Sequence, residues 1–252
     1  MYKLDLSGQK AIVTGGTRGL GLGMAEALLD AGAEVLIVGS SEKVVEVAKA
    51  LNADGHICHG VAFDLSDATD RAKGFDKALA MLGGDLDILV NCAGVQSRHP
   101  SEDFPLSDWE WVIEVNLNAV FDLCQRAAKV MLPKSRGKII NIASLLSFFG
   151  GFTVPAYAAS KGGVMQLTKA LSNEWASKGI NVNSLAPGYM ATDMNTALLA
   201  DEGRNAEITA RIPAKRWGNG DDMKGPLVFL ASHASDYVHG VTLPVDGGYL
   251  GR

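Results

Sequence analysis

Short apolar runs alternate with longer amphipathic stretches from one end of this chain to the other. Ala11-Ile12-Val13-Thr14 predicts a first strand and Glu34–Val38 a second. Further strand-like runs stand at Ile57–Phe63, Asp87–Asn91, Lys138–Ile142, Asn181–Ala186 and Gly240–Val245. Between them the helical period predicts helices, notably over Leu20–Ala31, Glu42–Asn52, Asp108–Met131, Ala156–Lys178 and Asp221–Ala231. The strands are continuously apolar rather than alternating, the pattern of strands covered by helices on both faces. Strand and helix in alternation predict an α/β fold, a doubly wound parallel sheet of about seven strands. No repeat, low-complexity segment or linker interrupts the pattern, so residues 1–252 are expected to form one domain. The stretch around 188–220 is less regular and predicts a partly helical lid.

Composition narrows the function classes. With 252 residues, 47% of them hydrophobic, the chain can bury a large core. A net charge of −5 with no basic block argues against nucleic-acid binding. No segment is long and apolar enough to span a membrane. Cys58, Cys92 and Cys124 form neither a metal-ligand spacing nor a disulfide framework, which fits a reducing compartment. Residues 1–8 lack an apolar signal core, so the expectation is a cytoplasmic protein without a metal.

The chemistry begins at Thr14-Gly15-Gly16-Thr17-Arg18-Gly19-Leu20-Gly21, between the first strand and the first helix. Such a turn also serves as a tight connection, but its position points to a pyrophosphate at a helix N-terminus. Asp64, followed by Leu65 at the end of the third strand, offers an acceptor to an adenine amino group or a cap to the next helix. Asn91-Cys92-Ala93-Gly94 ends the fourth strand at the carboxyl edge, where open sheets bind ligands. The second strand ends in Val38-Gly39-Ser40-Ser41, with no acid to hold a ribose 2′-hydroxyl. Arg18 stands beside the phosphates instead, so NADP is favoured over NAD. Tyr157 and Lys161, four residues apart, share a helix face. A nearby cation lowers a phenol's pKa and suits it to acid–base work. The spacing by itself equally fits an idle exposed face.

Thr14-Gly15-x-x-x-Gly19-x-Gly21, Asn91-x-Ala93-Gly94, Asn116, Ser144, Tyr157-x-x-x-Lys161 and Pro187-Gly188, in this order, resemble the short-chain dehydrogenase/reductase family over essentially the whole chain. The resemblance implies a Rossmann-type fold, an NAD(P) cofactor and a homotetramer. It implies that Tyr157 is the general acid or base and that Lys161 holds the nicotinamide ribose. Ser144 would bond the substrate oxygen, with Ser147 as its rival, and Asn116 would support a water relay to Lys161. Thr192 would contact the nicotinamide carboxamide.

Narrower runs, such as Ile140–Phe148 and Pro187–Thr192, resemble the dehydrogenases of 2-dehydro-3-deoxy-D-gluconate and, less closely, of gluconate. Lys215 and Tyr249 depart from that group, which implies Gly and Trp there. A sugar-acid substrate needs a cation for its carboxylate. Arg98, Arg204 and Arg211 are candidates, with Gln96, His99, Ser144 and Met190 as further substrate contacts. A C-terminal Arg252 would reach a neighbouring subunit's site. The competing readings are a 3-oxoacyl-carrier-protein reductase and a non-catalytic dinucleotide-binding regulator.

Overall fold

The apolar runs pair into one parallel seven-stranded sheet in a computed structural model, which describes residues 4–53 and 55–251. The strands are β1 (Lys10–Thr14), β2 (Glu34–Gly39), β3 (Cys58–Ala62), β4 (Ile88–Asn91), β5 (Gly137–Ile142), β6 (Ile180–Pro187) and β7 (Thr242–Val245). Their order is β3-β2-β1-β4-β5-β6-β7. The chain runs outwards from β1 to β3, then returns to pair β4 against the free edge of β1, with Thr14 beside Asn91. Crossovers leave in opposite directions from this point, so a crevice opens at the carboxyl ends of β1 and β4.

The helices are α1 (Gly19–Asp30), α2 (Lys43–Leu51), α3 (Ala68–Met81), α4 (Leu106–Ile113), α5 (Ala119–Met131), α6 (Pro155–Trp175), α7 (Thr196–Ala200), α8 (Glu202–Arg211) and α9 (Gly220–Ala231). They explain the unbroken apolar strands. Val35 and Ile37 of β2 enter a core shared with α1, α2 and α9, while Leu36 and Val38 enter one shared with α3, α5 and α6. A third cluster of Leu145, Ile208, Ile212 and Tyr249 ties α8 to the C-terminal segment.

The expected helix Asp108–Met131 is interrupted. Residues Glu114–Asn118 form a π-turn between α4 and α5. The wider turn inserts one residue into the helical register, and such insertions concentrate at functional sites. Here it buries Asn116 completely.

Close packing of α3 on the sheet supplies a stability test. Gly74 lies in the helix interior, where alanine ordinarily stabilises by about 1 kcal/mol. A Cβ at Gly74 would stand 2.2 Å from the buried Phe63 ring. Overpacking of this kind costs about 1–3 kcal/mol and reverses the sign. Gly74→Ala is therefore expected to lower the urea midpoint; a raised midpoint would refute the close approach.

Candidate active site

The glycine turn is built by contacts that leave no room for side chains. Gly15 (φ +69°) and Gly19 (φ +55°) take left-handed backbone conformations. A Cβ at Gly21 would fall 2.1 Å from the Gly15 carbonyl, and one at Gly15 would fall 2.9 Å from Ala93 Cα. Thr14 locks the second wall: its Oγ1 accepts from the backbone N–H groups of Cys92 and Ala93, each at 3.1 Å. Beyond the turn, Thr17 packs over Gly39, and Ser40 and Ser41 are exposed at the end of β2. Leu20 packs against the core.

Asp64 accepts from Ser66 N–H and hydroxyl, both at 2.8 Å, and lies exposed at the rim. The cap of α3 is instead Asp67, which accepts from Thr69 and Asp70 N–H groups. The Leu65 carbonyl accepts from the buried Arg71 guanidinium, which also pairs with Asp122 at 2.7 Å and Glu114 at 2.9 Å. These bonds join the rim of the crevice to the π-turn. Asn91, expected at the cofactor, has its side chain turned to the neighbouring strand. Its amide donates to Asn141 across the sheet at 2.9 Å, so the buried side chain couples β4 to β5.

Tyr157 and Lys161 stand in the first turns of α6, which Pro155 opens at a position where its missing N–H loses nothing. The Lys161 ammonium is 3% exposed and donates to the Ile142 carbonyl at 2.6 Å. Burial lowers its pKa to about 8. The ammonium lies 5.7 Å from the Tyr157 ring centroid. The expected drop in the phenol's pKa does not follow. Burial raises it above the usual value, against opposing effects of the hydrogen bond with Ser144 and the positive charge of Arg98. The phenol is thus held in its proton-bearing form at neutral pH.

Ser144 and Ser147 separate cleanly. Ser144 shares its hydrogen bond with Tyr157 and accepts from Leu146 N–H at 3.2 Å. Ser147 Oγ donates to the Lys161 carbonyl at 2.6 Å and accepts from Ser144 N–H, which makes it a support. Asn116 binds both backbone groups of Val95, at 2.8 and 2.9 Å, and donates to Ser160. A Cβ on Gly94 would lie 3.4 Å from Asn116 Oδ1 and 3.7 Å from Lys161 Nζ, so these groups converge over that glycine.

Pro187 ends β6, and Gly188 packs so tightly on Asp246 that a Cβ would approach its Cα to 2.6 Å. Thr192 lies over Gly19, with its methyl carbon 3.7 Å from a Cβ placed there. Arg18 extends from the turn to pair with Asp193 at 2.8 Å, both side chains largely exposed. Met190, a candidate substrate contact, stands early in the 188–220 excursion. It is 3% exposed and bridges to Gly218, filling the base of the 188–220 excursion. Arg211 stacks over the Tyr249 ring at 5.0 Å, and Arg204 pairs with Glu207. With the oxygen and nitrogen of its amide exchanged, which satisfies both, Gln96 accepts from Arg98 Nε and Nη2 at 3.0 and 2.8 Å. His99 and Ser97 both bond to Asp108, which ties that loop to α4. Arg252 lies outside the described residues. Sequence reasoning missed the Ile142 carbonyl, Ser160 and Asp193. Cys92 lies close to both Tyr157 and Lys161, and burial pushes its thiol up to about 12, so it stays uncharged there.

The short chain dehydrogenase profile matches residues 9–203. The chain is 47% identical over 250 residues to 2-dehydro-3-deoxy-D-gluconate 5-dehydrogenase of Bacillus subtilis, covering 98% of this chain and 97% of the relative. It is 48% identical over 249 residues to the enzyme of that name from Escherichia coli, covering 98% of each. Among solved structures it resembles gluconate 5-dehydrogenase from Burkholderia cenocepacia in complex with NADP and tartrate. That match has a TM-score of 0.95 and 40% identity, over 99% of this chain and 98% of the other.

The buried ammonium has a measurable signature. Below pH 8 Lys161 is charged in both folded and unfolded chains, and the fold bears the full penalty of its burial. Between pH 8 and the ordinary lysine value of 10.5 the unfolded chain binds more protons, so this penalty fades as pH rises. Lys161→Met is expected to resist urea better than the wild type at pH 7, by a margin that shrinks towards pH 10. A margin independent of pH would contradict the depressed pKa.

Proposed function

We propose that this chain, which belongs to the short chain dehydrogenase family, acts on a sugar acid, interconverting 2-dehydro-3-deoxy-D-gluconate and its 2,5-diketo form. It is an oxidoreductase acting on CH–OH groups. The observation that carries the sugar-acid reading is a cation within electrostatic reach of the phenol: Arg98 acts on Tyr157, and its guanidinium rests on the neutral amide of Gln96. A neutral support leaves the positive charge uncompensated for a substrate carboxylate. The full-length likeness to enzymes named for this sugar acid supports the choice.

The crevice suits a dinucleotide, because the glycine turn brings bare backbone to where a pyrophosphate would lie. Gly15, Thr17, Arg18, Gly19, Leu20 and Gly21 would hold the phosphates, Ser40 and Ser41 the adenosine ribose, and Asp64 and Leu65 the adenine. Asn91, Ala93 and Gly94 would line the middle through their backbone, with Pro187, Gly188 and Thr192 at the nicotinamide. The bound cofactor supplies the hydride in reduction and accepts it in oxidation. Tyr157 gives its proton to the ketone oxygen while Ser144 donates a hydrogen bond to the same oxygen. In the reverse direction the phenolate takes the proton from the alcohol. Lys161 holds the nicotinamide ribose, and Asn116 supports the path by which the phenol regains its proton.

Absence of a carboxylate at the end of β2, together with Arg18, supports NADP over NAD. Free thiols at Cys58, Cys92 and Cys124 suit the cytoplasm. The expected homotetramer, which light scattering would test, is supported by exposed Leu106, Trp109, Trp111 and Phe121 along α4 and α5.

The deciding experiment is a panel of keto sugar acids assayed with NADPH and NADH in parallel. A 5-keto or 2,5-diketo acid with NADPH is expected to turn over fastest. Faster turnover of acetoacetyl thioesters would favour the carrier-protein reductase instead. Tyr157→Phe is expected to remove at least about a hundredfold of kcat, within the range of acid–base catalysis. Reductase activity surviving that change would sink the mechanism. Arg98→Gln should raise KM for a sugar acid more than it lowers kcat; an unchanged KM would move the carboxylate elsewhere.

A further inference from the structure

Arg18 sits on the cofactor's phosphate turn, yet its hydrogen-bonding partner belongs to the other wall of the crevice. Its Nη1 donates to Asp193 Oδ2 at 2.8 Å. Asp193 follows Thr192 and opens the first short helix of the 188–220 excursion, Asp193–Asn195. The pair therefore spans the mouth of the crevice between the turn and the excursion. Both side chains are about three-quarters exposed, at 76% and 74%, and the contact is monodentate. An exposed pair of this kind is weak and readily exchanged for a better anion. A phosphate monoester is that better anion, with more charge than a carboxylate and oxygens placed for bidentate binding by a guanidinium.

We propose that Asp193 is a specificity-determining residue that competes with the cofactor's 2′-phosphate for Arg18. The inference rests on the reading of Arg18 as the 2′-phosphate partner. A dinucleotide carrying the phosphate draws the guanidinium away from Asp193 and releases the excursion from the turn. One lacking it leaves the pair closed. The carboxylate thus sets how strongly the enzyme prefers the phosphorylated cofactor, without touching that cofactor.

The test is fluorescence titration of the full chain with NADPH and NADH, comparing wild type, Asp193→Asn, Arg18→Gln and the double variant. Asp193→Asn keeps the side chain's shape and removes its charge. It is expected to shift the NADPH-to-NADH affinity ratio towards NADPH by up to about fivefold, the strength of an exposed ion pair. Adding Asp193→Asn to Arg18→Gln should leave the ratio where Arg18→Gln put it. An unmoved or reversed ratio in Asp193→Asn overturns the competition. So does an equal shift in both backgrounds, which would mean simple repulsion between Asp193 and the phosphate. If Arg18→Gln alone leaves the ratio unchanged, the NADP reading itself fails, a result separable from the others.

Discussion

The structure of this site follows from burying one ammonium. A lysine charge taken out of water needs an acceptor, and Lys161 finds it in the Ile142 carbonyl at the end of β5. The lysine's own carbonyl is bonded by Ser147, whose oxygen in turn accepts from Ser144 N–H. These contacts close a ring joining the end of β5, the turn after it and the start of α6. Ser144 is placed beside Tyr157 by that ring, and the phenol's surroundings are fixed with it. Loosening any one bond would move Tyr157, Ser144 and Lys161 together.

That dependence explains why a sequence reading succeeds here and where it stops. Apolar runs place the strands to within a residue or two, because the central strands β1, β2, β4, β5 and β6 are buried along nearly their whole length. The glycines are legible because their backbone contacts exclude a side chain. The π-turn is not legible: Glu114–Asn118 has the composition of an ordinary helix, and only the packed fold shows the inserted residue. Side-chain direction is lost for a similar reason. The Met190 side chain packs over Gly218 and the Asn91 amide bonds Asn141, directions that no residue identity announces. At Lys215 the resemblance carries information that composition lacks. Its φ of +56° is a conformation that glycine adopts without strain, which accounts for the glycine expected there.

The sign of the phenol's shift is the instructive disagreement. Adjacent placement of a cation and a phenol suggests an easily ionised tyrosine, but distance and competition decide otherwise. The ammonium is 5.7 Å from the ring centre and is already engaged by a carbonyl, whereas burial acts on the phenolate directly. In the chain alone desolvation wins. Burial therefore adds to the ordinary preference of a phenol for its proton-bearing form at neutral pH.

Electrostatics also resolves an oddity of composition. A protein of net charge −5 must hold, in the proposed reaction, an anionic substrate and an anionic cofactor. It does so by spending its surplus acids on arginines elsewhere. Arg71 is paired with Asp122 and Glu114, Arg126 with Asp122, Arg136 with Asp87, Arg204 with Glu207 and Arg216 with Asp222. Arg98, near the phenol, rests on an uncharged amide, and Arg18, at the crevice mouth, has only a weak exposed carboxylate to leave. In the proposed reaction these two arginines would meet the substrate carboxylate and the cofactor phosphate. Their fields reach only about 10 Å at ordinary salt, so local placement outweighs net charge in recruiting an anion.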